Sequence, residues 1–518
     1  MNAGRFWTDR RISLGFGLFT FLAVVATLGD PGITVDEPLD VRPGRNYIRL
    51  LRENGFAFLS PAVVDATYAD NHEHPPLGRW LLGVASTAGE TFETLLVGPD
   101  PFKTYIRSAR LAPALAFGVL VGLICSTTAR RYGRSAGMAG GFALMVMPRM
   151  FAHAHFGALD TFVALFWTWS LLSVANATES ERPTRAMALA GIVWSLALLT
   201  KIHAWLLPPL VVAWAFFRLP WRKAAVSCGV WLAVGLSIFV LGWPWLWYDP
   251  SRLVDYLQTG VSRLSIQVTY FGHVYNDRDV PWHYPWFYFA ATVPVGIQAI
   301  GLVGLVGAVR DRRRDVFPLL LLAAMLELLV LFSLNTPVYD GERLFLPVFP
   351  LWAIFAGIGF GKLWRWAGGS NVRRVSLTLV LAAQAYGVAM IHPFGLSYYN
   401  ALVGGLPGAE RLGLELTFWG DAVDPVLLGE LARRAPAEST AALAPTLAVN
   451  QGPFSTTQPL LRREIVVRDQ EMVPDARYVI IYRRSAYWNP AIRSLVKRPP
   501  LFVRKRQGVW LSGVWLQE

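Results

Sequence analysis

The chain is short of charge. Only 16% of its 518 residues are Asp, Glu, Lys or Arg, against about 25% in an ordinary soluble domain. Cysteine is scarcer still: Cys125 and Cys228 are the only two, both inside apolar runs and without CxxC spacing. That excludes a disulfide framework and a structural zinc ribbon. The sequence also lacks a GxGxxG after a strand and a Walker motif, so it carries no nucleotide-binding signature. What is abundant is apolar: 54% hydrophobic residues, with 21 Trp, 30 Phe and 17 Tyr, and a mean hydropathy of +0.38. These values exclude a disordered chain and argue against a soluble enzyme. They describe an α-helical polytopic membrane protein.

A helix needs about 20 apolar residues to cross the hydrocarbon core. The first such run is Ile12 to Leu28, behind Arg5, Arg10 and Arg11; no clear small-residue cleavage site follows it, so it reads as a retained span. Further runs centre on 107–129, 135–150, 159–177, 186–205, 206–218, 224–243, 285–309, 316–334, 344–361 and 375–391, making about eleven transmembrane helices. The net charge of +13 then has a simple source: Lys and Arg accumulate in cytoplasmic loops, and no nucleic-acid partner is implied. With the N-terminus inside, the inside segments hold nineteen Lys and Arg, from Arg5 to Arg374. The short outside turns hold only Arg149, Lys201 and Arg343, and the 244–284 loop three more. An odd number of spans puts the C-terminus outside.

This organisation predicts a membrane domain over 1–391, including outer loops 31–106 and 244–284, and an extracytoplasmic α/β domain over 392–518. Short β-like runs at Arg477–Tyr482 and Val509–Leu516 motivate the second unit.

The candidate chemistry lies on the outer face. Asp36 and Glu37 follow the first span; a solvated pair of loop charges is the plain alternative. Asn71-His72-Glu73-His74-Pro75-Pro76-Leu77 comes later in the same loop, where the Pro pair stiffens the chain. Asp160 opens the fourth span, where an N-cap is the simple reading. Lys201 stands in an outer turn against the positive-inside bias, snorkelling being its plain explanation. Tyr339-Asp340-Gly341-Glu342-Arg343 joins the ninth and tenth spans on the same face. Glu327 lies inside the ninth span, about 12 Å deep at 1.5 Å per residue, and asks for a partner or a cavity. Acids able to take a proton, with cations able to hold a phosphate, make a transferase site plausible.

These residues resemble the GT-C membrane glycosyltransferases, above all the protein O-mannosyltransferases and the lipid A aminoarabinose transferases. The likeness rests on Asp36-Glu37 after the first span, Glu73-His74-Pro75-Pro76-Leu77, Asp160, Leu199-Thr200-Lys201, Arg343 before Leu346-Pro347-Val348-Phe349-Pro350, and His392 to Asn400 followed by Gly404-Gly405. It covers residues 10–420. Relatives of the aminoarabinose type often carry Lys where this chain has His74. The resemblance implies transfer of a sugar from a polyprenyl-phosphate donor to a hydroxyl of an outer-face acceptor, a protein Ser/Thr or an envelope glycan or lipid. It implies a multi-pass plasma-membrane enzyme with its site on the extracytoplasmic face. Asp36, Glu37 and Asp160 are then the catalytic acids, and Glu73, His74, Lys201, Arg343 and Tyr339 the substrate-binding residues. No cofactor is required by the motifs; a divalent metal is the one addition relatives suggest, with Glu73 and His273 or His283 as its conceivable ligands.

A transporter or flippase of lipid-linked sugars is the main alternative. Such proteins place charges near the midplane and often repeat their halves, whereas Glu327 is the single acid found in a span and no repeat is visible. An envelope scaffold acting through its outer tail is a third.

A reporter fused after Glu518 should be active only outside the cytoplasm; activity confined to the cytoplasm overturns this topology.

Overall fold

The structure, a computed structural model, describes residues 3–69, 71–97, 105–259, 265–445 and 465–517. Parts of both predicted outer loops and of the tail, at 70, 98–104, 260–264, 446–464 and 518, lie outside the described residues.

Each of the eleven apolar runs is helical. In chain order the helices are Ala3–Ala26, Leu111–Tyr132, Arg134–Met145, Asp160–Thr178, Pro183–Leu198, Leu207–Arg218, Trp221–Leu241, Tyr284–Thr292 with Val295–Arg310, Phe317–Leu331, Val348–Ala367 and Asn371–Ile391. Their ends follow local rules. Pro sits in the first turn at Pro183, Pro208 and Pro318, where no N–H is missed. Gly133 and Gly368, at φ 96° and 57°, end the helices before them.

Among the described residues, four helices are long and apolar enough to cross a membrane by themselves, or five if one bent pair is a single span. The others are shorter or more polar, so eleven full crossings are not established. Asp160–Thr178 is central, with 83% of its apolar window buried, while Asn371–Ile391 is peripheral at 17%.

The bent pair departs from expectation. The run at 285–309 is not straight: it turns by 112° between Thr292 and Val295. Pro294 supplies no N–H there, and the carbonyls it frees need donors. Asn400 provides them, its Nδ2 donating to Ala290 and Val293 carbonyls at 2.7 Å each while its backbone N–H reaches Ala291. The segment after His392 is thus anchored in the helical part.

The first outer loop is helical too, with Asp36–Asn54 lying against Leu77–Val97. Gly44 and Gly83 face each other at the crossing: a Cβ on Gly83 would stand 2.1 Å from the Gly44 carbonyl oxygen, and one on Gly44 2.1 Å from that of Arg79. This backbone-to-backbone contact places Asp40 beside Arg79, a buried ion pair at 3.0 Å.

Five strands form a mixed sheet: β3 (Thr440–Ala444), β4 (Val466–Asp469), β5 (Tyr478–Tyr482), β6 (Phe502–Arg506) and β7 (Val509–Leu516). A hairpin in the 244–284 loop supplies β1 (Gln267–Tyr270) and β2 (His273–Asn276). The five-strand order is β4-β3-β5-β7-β6, with β3 parallel to both neighbours and β7 antiparallel to β5 and β6. Leu427, Leu428 and Leu431 of helix Pro425–Arg434 cover one face, and Ile492 and Leu495 the other. With both faces covered, β5 is buried at all five positions, which explains its unbroken apolar run.

Replacing Gly83 with Val should force the two outer-loop helices apart. A loss of about 1–3 kcal/mol is expected, read as a lower Tm of the detergent-purified protein; an unchanged Tm contradicts the close-crossing account.

Candidate functional site

Asp36 and Glu37 open one helix, where consecutive side chains point about 100° apart. They therefore meet different partners. Glu37 is fully buried. Its Oε1 accepts from Arg110 Nε at 2.6 Å and the Gly157 N–H at 2.8 Å, and its Oε2 from Arg110 Nη2 at 2.8 Å and the Thr34 N–H at 2.8 Å. Thr34 Oγ1 adds a fifth bond at 3.1 Å. Arg110 in turn donates to the carbonyls of Leu28, Pro31 and Gly32. Every lone pair of Glu37 is engaged in holding the chain at the end of the first span. Glu37, expected as a catalytic acid, therefore has the surroundings of a group that positions the chain. The Thr34-x-x-Glu37 pattern, half of a capping box, was the signal for it.

Asp36 points the other way, onto the Arg343 guanidinium. Arg343 also contacts Asp160, its Nε lying 3.3 Å from Oδ2, and Asp340, its Nη1 lying 3.3 Å from Oδ2. The guanidinium carbon stands 4.5 Å over the Trp419 ring and 5.7 Å over that of Tyr339. Asp160 Oδ1 accepts from Lys201 Nζ at 2.9 Å. Asp36, Asp160, Lys201 and Arg343 are thus one connected cluster drawn from four distant parts of the chain. Arg343, expected as a phosphate-binding cation, is instead shared among three carboxylates. Lys201, paired with Asp160, lies on a cavity wall.

That cavity holds about 390 Å³. Glu73, His74 and Lys201 are among its polar lining residues, and Trp205, Leu206, Tyr256, Leu331 and Phe332 among its largely apolar walls. Tyr339 and Leu344 complete the wall beside Arg343. Glu73 is exposed, its N–H held by Asn71 Oδ1 at 3.0 Å. Arg79 fixes the same loop by donating to the carbonyls of Asn71 and His74.

Burial pushes the Asp36 carboxyl above its ordinary value of 3.8, against the pull of Arg343. Burial, Lys201 and Arg79 push the His74 imidazole well below 6.5. The neutral imidazole is thus favoured; its buried Nδ1 has no hydrogen-bond partner among the described residues. Of the metal ligands that relatives suggest, Glu73 with His273 or His283, Glu73 is exposed. His283 Nδ1 meets the Tyr270 hydroxyl at 2.8 Å, His273 is exposed on β2, and among the described residues no three His, Cys, Asp or Glu converge. Glu327, in its helix, keeps Oε2 buried without a hydrogen-bond partner among the described residues.

Other charges of this region went unforeseen. Asp340 sits in a left-handed turn with Gly341 (φ 57° and 69°), conformations that Asp tolerates and Gly adopts freely. A Cβ on Gly341 would lie 2.5 Å from Arg149 Nη1. Behind it, Arg149 and Glu342 form a buried pair at 2.5 Å. The Asp340-Gly341 dipeptide marks a turn in sequence, but nothing local announces its partners.

Residues 73–248 match the family model described as dolichyl-phosphate-mannose-protein mannosyltransferase. The segment includes Glu73, His74, Asp160 and Lys201 and stops before Tyr339 and Arg343. Among curated protein sequences none matches the chain. ArnT from Cupriavidus metallidurans in the apo state has the same fold: 17% identity, 96% of this chain and 97% of that one covered, TM-score 0.52. The same protein bound to undecaprenyl phosphate aligns at 17% identity over the same shares, with a TM-score of 0.49. The oligosaccharyltransferase of Archaeoglobus fulgidus in its apo form aligns at 11% identity over 93% of this chain and 70% of that one, with a TM-score of 0.46. The matched segment is thus similar to that mannosyltransferase family, and the fold as a whole is that of ArnT.

Glu37→Gln should destabilise the protein by about 3–5 kcal/mol, because it leaves Arg110 buried without its counter-charge. Asp36→Asn should change the unfolding free energy by no more than about 1 kcal/mol. Comparable losses in both would contradict the division of labour between the two acids.

Proposed function

We propose that this GT-C protein transfers a sugar from a polyprenyl-phosphate donor to a hydroxyl of an acceptor on the outer face of the plasma membrane. The observation that carries the reading is the joining of Asp36, Arg343, Asp160 and Lys201 into one cluster, of which Lys201 lies on the wall of a largely apolar cavity. A polyprenyl phosphate has the matching form: an apolar tail and an anionic head. The family description of the matched segment, a transferase using dolichyl-phosphate-mannose, supports the donor class.

In this reading the acceptor hydroxyl attacks the anomeric carbon and gives its proton to Asp36. The bond from that carbon to the phosphate oxygen breaks, and polyprenyl phosphate leaves with the bonding pair. Lys201 receives the phosphate. Asp160 holds Lys201 and Arg343 in place and lends negative charge beside the developing oxocarbenium centre. The raised Asp36 carboxyl suits this task, because a base works best near the operating pH. Glu73, His74 and Tyr339 border the donor, with His74 serving as a neutral hydrogen-bonding group. The membrane domain over 1–391 with eleven spans, the outer unit over 392–518 and the inside N-terminus complete the proposal; the charge alternation supports them.

The test compares envelope glycans, lipids and glycoproteins by mass spectrometry in cells with and without the gene, then with single variants. Asp36→Asn should lower transfer by about 10²-fold or more with normal expression. Lys201→Ala should weaken capture of undecaprenyl phosphate used as a probe. Activity should fall as pH drops through the raised Asp36 value, since only the ionised carboxylate takes a proton. Full transfer by Asp36→Asn, or a glycan profile indifferent to the gene, refutes the reading.

A further inference from the structure

The strand unit reaches into the cluster through one residue. Arg484 lies two residues beyond β5 and is 5% exposed. Its Nη1 stands 2.6 Å from Asp340 Oδ1 and donates to the Phe418 carbonyl at 2.9 Å. Glu415 secures the next turn, accepting from the Ser485 N–H at 2.7 Å, from Ser485 Oγ at 3.0 Å and from the Ala486 N–H at 3.2 Å. The other Asp340 oxygen accepts from Trp419 Nε1 at 2.8 Å and faces Arg343.

Asp340 therefore has two guanidinium neighbours, and Arg343 has three carboxylate ones. We propose that Arg484 is a positioning residue for glycosyl transfer: by neutralising Asp340 it leaves Arg343 free to hold Asp36, and so sets how readily Asp36 takes a proton. This rests on Asp36 being the base.

The charges facing each group support the direction. Asp36 faces Arg343, Asp160, Lys201 and Asp340, with Asp40 one turn further along its helix. Arg484 faces Asp340, Glu415, Tyr482 and Tyr487. Burial would raise the Asp340 carboxyl, yet Arg484 and Arg343 together hold it below its ordinary value. Without Arg484, Asp340 competes harder for Arg343, and Asp36 loses part of the cation that keeps it ionised. Loss of a positive charge nearby acts in the same sense, so both effects raise the pH at which Asp36 titrates.

The test needs no knowledge of the sugar. The full chain in detergent is titrated by difference infrared spectroscopy, with the Asp36 carboxyl band isolated by subtracting the Asp36→Asn spectrum. Arg484→Gln should raise the midpoint by about one pH unit, and Arg484→Lys should leave it near the parent. Adding Asp340→Asn to Arg484→Gln should return it to the parental value or below, a rescue that a merely structural Arg484 would not allow. If Arg484→Gln fails to fold, Asp340→Asn alone decides: a lowered midpoint supports the inference, and an unmoved or raised one overturns it. An unmoved midpoint in folded Arg484→Gln, or a rise that Asp340→Asn does not reverse, also overturns it. Because the titration reads no turnover, full activity in Asp36→Asn would refute the proposed base and leave the Arg484 result standing separately.

Discussion

A charge taken out of water needs an opposite charge beside it, and the region around Arg343 in this protein is organised by that requirement. Buried ion pairs cost several kcal/mol per ion to desolvate and hold only where geometry is good. Here they recur as linked sets rather than as isolated couples: Glu37 with Arg110, Asp40 with Arg79, Glu342 with Arg149, and the larger group around Arg343. Each set ties segments far apart in sequence. Arg110 gathers the carbonyls after the first span, and Arg343 gathers carboxylates from the first loop, the fourth span and its own turn.

The division between neighbours shows how these sets separate support from chemistry. Asp36 and Glu37 share a helix start, yet the helical rotation sends one into a saturated hydrogen-bond cage and the other toward a shared guanidinium. Saturation matters: a carboxylate with five donors has no lone pair to offer a substrate. Asp36, with one cationic partner among several competitors, keeps a basicity that its surroundings can adjust. The cavity repeats this contrast on a larger scale, with a few polar groups among aromatic and aliphatic walls.

Much of this was legible in the sequence. Apolar runs read as helices because a chain in lipid must satisfy its own backbone, and the order of acids and bases grouped Asp36, Glu37, Glu73, Asp160, Lys201 and Arg343, of which Asp36, Asp160, Lys201 and Arg343 meet in one cluster. Three things escaped. The bend after Thr292 depends on Asn400, more than a hundred residues away. The confinement of Arg343 depends on Asp340 and Trp419, whose approach is set by tertiary packing. The neutral state of His74 follows from cations placed around it by other loops. Periodicity and loop charge register local propensity and orientation; they contain no information on which distant groups will face each other once the chain closes.

The ion pair between Asp340 and Arg484 crosses from a turn between helices to the edge of the strand unit. That makes the two units interdependent as heritable parts. A recombination that replaced one without the other would strand a buried charge, at about 3–5 kcal/mol, a large share of an ordinary folding free energy. The helical portion and the sheet of this chain are therefore expected to change as matched sets, and chimeras with relatives should tolerate a junction only where both halves of the pair come from one parent.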